Sequence, residues 1–143
     1  MADTVERDIF QGLTLRMGAT ALPAGVERVL PGVVYSPSAT SKFVSFEVHF
    51  NKSIETDLTL EMDPIRIGFI RGNVMWPKGY SQVDAIDVAG IVRAHFKRGT
   101  SFYQDGTQIR FDEDPSLGPL IIGSTHTSLS VSADWICYPK VPA

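Results

Sequence analysis

The run from Thr127 to Cys137 places Leu129, Val131, Ala133, Trp135 and Cys137 at every second position, with Ser128, Ser130, Ser132 and Asp134 between them. Only an extended strand puts such a series on one face, so the run commits the chain to a sheet with one apolar side. Upstream, Thr107 to Glu113 repeats the pattern: Thr107, Ile109 and Phe111 face one way, Gln108, Arg110 and Asp112 the other, after an Asp105-Gly106 turn signal. Phe43 to Phe50 alternates Val44, Phe46, Val48 and Phe50 with Ser45, Glu47 and His49. Asn51-Lys52-Ser53 reads as a turn, and Thr56, Leu58, Leu60 and Met62 as a strand over about 54–62 that returns antiparallel. Ile65 to Trp76 is apolar on both faces, as a central or partner-covered strand is. Gly68 and Gly72 inside it predict a bulge or a close backbone approach. The connector Asp114 to Thr125 contains a short apolar strand at Leu120 to Ile122.

Two segments follow the helical period instead. Val5, Ile9, Leu13 and Met17, with Phe10 on the same side, predict a helix over about 4–17, opened by a capping box at Asp3 and Glu6. Arg7, Asp8, Gln11 and Thr14 fall on its wet face. Ser81 with Asp84 opens a second helix over about 82–97, with the stripe Val83, Ile86, Ala89, Val92 and Phe96; Lys97 and Arg98 suit its negative end before Gly99. Between the first helix and the first strand, the connector 18–41 carries Pro23, Pro31 and Pro37 and room for at most a short strand at Val33 to Tyr35. It is long for a structureless loop, which marks it as functional surface or as an added edge strand. The expected fold class is α+β: a mostly antiparallel, mixed sheet of four to six strands packed with two α-helices, one domain over 1–143.

A chain of 143 residues buries roughly two thirds of its extended surface and needs no staples. The lone Cys137, on the apolar face of its strand, is expected to be a small buried hydrophobe. The acidic first residues are no secretory signal, and no apolar run approaches the ~20 residues of a membrane span, so a soluble protein of a reducing cytoplasm is expected. Thirteen basic against sixteen acidic residues argue against a binder that neutralises nucleic-acid phosphates.

No constellation announces chemistry. His49, His95 and His126 sit in three different elements without metal-ligand spacing. In Asp112-Glu113-Asp114 only Asp112 and Asp114 share a face, and Pro115 ends the strand. No Gly-x-Ser-x-Gly elbow precedes the serine face, and no glycine-rich phosphate cradle precedes a helix. Trp76, Pro77 and Tyr80 form an aromatic approach to the second helix, read first as a staple and second as an exposed contact. A small enzyme or ligand module would have to be built from Asp112, Arg110 and His49.

The order "LPGVVYSP", "FVSFEVHF", "IRIGFIRGNVMWPKGY", "SQVDAIDVAGIVRAHFKRG" and "TQIRFDEDPSLGPLIIGSTHTSLSVSADWICY" resembles the tail terminator proteins of long-tailed bacteriophages, from about Val5 to Tyr138. The resemblance implies a structural virion protein at the head-proximal end of the tail, assembled in the host cytoplasm. It implies a homo-oligomeric, hexameric ring on the tail tube protein that stops tube growth and meets a head-completion or connector protein. Alternatives within the same machine are a head-to-tail connector or a tail tube subunit. No catalytic residue, cofactor or metal is implied. Candidate interface residues are Pro31, Tyr35 and Pro37 in the connector, Glu55, Asp57 and Glu61 in the acidic segment, and Trp76 and Tyr80. The same acids are candidates to line a lumen through which DNA passes without specific binding.

Overall fold

The computed structural model describes residues 5–54 and 65–138. Helix α1 spans Val5–Gly18 and α2 spans Gln82–His95. The strands are β1 (Val26–Val29), β2 (Lys42–Ile54), β3 (Ile65–Pro77), β4 (Ser101–Gln104), β5 (Thr107–Arg110), β6 (Ser116–Ile122) and β7 (His126–Tyr138). Among the described residues they form one sheet in the order β1-β2-β3-β7-β5-β4, with β6 also paired to β7. All pairings are antiparallel except β1 with β2. The α+β class therefore holds, and the sheet is mixed through that one parallel pair.

The period-two runs set the core. Val44 and Phe46 of β2, Ile70 and Val74 of β3, and Leu129, Val131, Ala133, Trp135 and Cys137 of β7 share one buried face with both helices. The apolar reading of Cys137 holds. β3 lies between β2 and β7, as its two apolar faces predict. At Gly68 a Cβ would collide with the His49 carbonyl oxygen and the Trp135 ring, so the glycine marks a close approach. Next to it the β2–β3 register shifts between Phe50 and Lys52, and Phe50 sits edge-on to Trp135 at 5.4 Å.

Several local expectations are corrected. Asn51-Lys52-Ser53 is no turn: a bulge absorbs the extra residue and β2 runs on to Ile54. The connector's strand is Val26–Val29 rather than Val33–Tyr35, because it is Val26 to Val29 that lie alongside β2. The strand from Thr107 ends at Arg110, not Glu113. It is preceded by β4, which no alternation foretold. Asp105 (φ 51) and Gly106 (φ 81) join the two through the left-handed pair that a tight hairpin requires.

Both helices sit differently on the sheet than their apolar residues suggest. On α1, Asp8 is 1% exposed rather than wet, and accepts a 2.9 Å bond from the Thr107 hydroxyl, while Phe10 is exposed. Helix α2 is turned about its axis. It buries Ala85, Val88, Ala89, Val92 and Phe96 and leaves Val83 and Ile86 outside, because the small Ala85 and Ala89 allow the closer approach. Ser81 precedes it without a side-chain capping bond. The expected strand over about 54–62, with Asp3 of the capping box, lies outside the described residues.

Candidate assembly surfaces

Candidates for chemistry come apart when placed in the fold. Asp112 pairs with Arg110 at 3.1 Å, and Asp114 accepts the Arg98 amide at 3.0 Å and faces Arg93 at 4.0 Å. These acids are already engaged by cations, and among the described residues no group of three His, Cys, Asp or Glu side chains is placed to hold a metal. His49 is stacked on Phe69 at 4.4 Å and contacts Glu47, whereas Arg110 lies over Tyr138, so the two share no partner. His95 donates from Nε2 to the Arg16 carbonyl at 2.7 Å, and Arg16 donates back to the His95 carbonyl at 3.0 Å. This reciprocal clasp ties the ends of α1 and α2, and burial holds the His95 pKa below its usual value.

Of the connector candidates, Tyr35 packs against the ends of the strands. Tyr35 packs on Phe43 (5.0 Å between rings), and Phe43 meets His126 (5.6 Å). His126 donates from Nε2 to the Ser41 carbonyl at 2.8 Å. That leaves Nδ1 for the Thr125 hydroxyl at 3.0 Å. The Ser38 amide bonds the Ser41 hydroxyl at 2.9 Å. Pro31 is half-buried and Pro37 exposed. Tyr35 and Tyr80 line one open cleft of about 380 Å³ with Lys42, whose ammonium lies 5.0 Å from the Tyr80 ring and 5.1 Å from Trp76. Trp76 itself is only 3% exposed: it is the staple under α2, and the exposed aromatic is Tyr80. Glu55, Asp57 and Glu61 lie outside the described residues.

A further apolar surface, not among the residues singled out from the sequence, lies on β6. Leu117, Leu120, Ile121 and Ile122 of β6 are all exposed, Ile122 by 71%. Leu120 pairs with Leu129, Leu117 with Val131 and Ile122 with Thr127, so these three face the helix side of the sheet. Ile86 lies seven residues before Arg93, hence on the same side of α2, and Arg93 bonds the Pro115 carbonyl just ahead of β6. Ile86 and β6 thus form one exposed apolar strip along a free sheet edge. Its signal in the sequence is an absence: residues 115–133 contain no Lys, Arg, Asp or Glu, the charges that edge strands use to repel other edges.

Among the described residues the picture is of an α+β domain with engaged acids, separated histidines and an exposed apolar strand. Residues 8–135 match the family model of the phage tail terminator proteins, and the chain belongs to that family. The family is one of structural phage tail proteins rather than of enzymes. No curated protein matches. Among solved structures, one superposes with a TM-score of 0.70 at 20% identity, covering 100% of this chain and 99% of the other, a likeness of fold. Among the described residues no helix is long and apolar enough to cross a membrane.

Proposed function

We propose that the chain terminates a phage tail. Six copies close into a ring on the last ring of the tail tube protein, stop its polymerisation and present a second surface to a head-completion or connector protein at the neck. The observation that carries this reading is the uncharged, uncovered β6 edge in a member of a tail terminator family. A monomer that exposed such an edge permanently would invite uncontrolled pairing, whereas a ring closes it. The connector around Pro31, Tyr35 and Pro37, Tyr80, and the acidic Glu55, Asp57 and Glu61 are proposed as further contact surfaces. The mild net charge of -3 supports a lumen that DNA traverses without adhesion.

The test is electron microscopy of tail tube protein polymerised with and without this chain. A terminator yields short tubes capped at one end. Tubes built of this chain itself mark a tube subunit, and unchanged tube lengths contradict termination.

A further inference from the structure

We infer that the tip of the connector, Val33-Val34, is a knob that docks on the β6 edge of a second copy of this chain. The inference rests on the ring reading above and names the contact that would close it.

The knob is built rather than loose. Gly32 (φ 81) turns the chain, and the Val33 amide donates to the Leu30 carbonyl at 3.1 Å. Tyr35 on Phe43, and His126 bonded to Ser41, then pin the root to the sheet. What projects is Val34, 93% exposed, beside the exposed Val33. A β-branched pair held in place by its neighbours loses little freedom on docking, the condition under which a small apolar contact yields affinity.

In its own chain the knob leaves the strip uncovered: Val34 and Ile122 are both exposed. Phe43 pairs with Met75, Met75 with Ser128, and Ser128 with Ile121, so β2, which carries the root of the knob, and β6 stand three places apart in one row of the sheet, with β1 outside β2. Three strand spacings separate them, roughly 14 Å. A second copy set beside β6 brings its knob to the first copy's Leu120, Ile122 and Ile86. Because knob and strip are unlike surfaces of one chain, the contact is head-to-tail and repeats from copy to copy, as a ring requires.

The electrostatics match as well. Residues 29–41 and 115–133 are the two longest stretches of the chain without Lys, Arg, Asp or Glu. Docking one on the other removes apolar surface from water, and neither stretch brings an ionised side chain of its own into the contact.

The experiment mixes a Val34→Cys preparation with an Ile122→Cys preparation under mild oxidation; the native Cys137 is buried and stays out of the reaction. The expected result is a disulfide-linked dimer in the mixture, at least tenfold more than in either preparation alone. Alongside, native mass spectrometry follows Val34→Asp, whose exposed position leaves the melting temperature unchanged, and the expected result is a shift from oligomer to monomer. Wild-type rings that persist in Val34→Asp, with no mixed disulfide, overturn the contact and leave the ring standing. A wild-type chain that stays monomeric with and without tube protein overturns both.

Discussion

Strands β6 and β7 are neighbours in register, and their paired residues meet opposite fates. Leu129 and Val131 of β7 are buried under α2, while Leu120 and Leu117, opposite them on β6, are exposed. Both strands offer apolar side chains at these positions; what differs is that α2 lies mainly over β3 and β7 and only touches β6. The same apolar chemistry therefore stabilises the fold in one strand and is left free to bind in the next.

Charge substitution on each strand is the strongest way to break that comparison. Val131→Asp would bury an unpaired carboxylate and is expected to cost upwards of about 3 kcal/mol, enough to unfold most of the population in a thermal melt. Leu120→Asp at the partner position is expected to move stability by less than about 0.5 kcal/mol while abolishing self-association. Equal loss of stability in both would show that β6 is covered in the subunit.

Gly68→Ala tests the closely packed centre, where the added methyl meets backbone and an indole ring; a loss of about 2–3 kcal/mol in urea unfolding is expected, against a gain of about 0.5–1 kcal/mol for Gly90→Ala, whose Cβ meets open space inside helix α2. Thr107→Val removes the hydroxyl that bonds the buried Asp8 and is expected to cost about 1–3 kcal/mol, again with assembly intact in the folded fraction.

The smallest effect concerns pH. Burial lowers the His95 pKa below 6.5 in the folded chain, so on acidification the unfolded chain takes up the proton first. Its contribution is complete above 6.5 and declines as pH falls towards the folded value. His95→Gln should flatten that part of the melting-temperature profile; an unchanged slope would remove His95 as its source.

The long strands and both helices were legible because alternation and helical spacing survive in a single sequence. The connector was flagged by its prolines and length, although its strand is Val26–Val29, whose four residues are too few to alternate visibly. Polar residues misled where tertiary structure overrode them: Asn51-Lys52-Ser53 continue a bulged strand, and Asp8 is buried because Thr107 across the core bonds it. The stripe of α2 was misread for the opposite reason. Val83 and Ile86 are apolar and were assigned to the core, yet Ala85 and Val88 take that place. Surplus apolar residues on a helix and an uncharged strand beside it are the trace that an interface leaves in a sequence, and a search for catalytic groups passes over it.

The most direct test of the account is the native mass of the wild-type chain set against Ile122→Asp at the same concentration. The account predicts a closed species near six times the 15.7 kDa chain for the wild type, and a monomer of unchanged melting temperature for the variant. Equal masses for the two would contradict it.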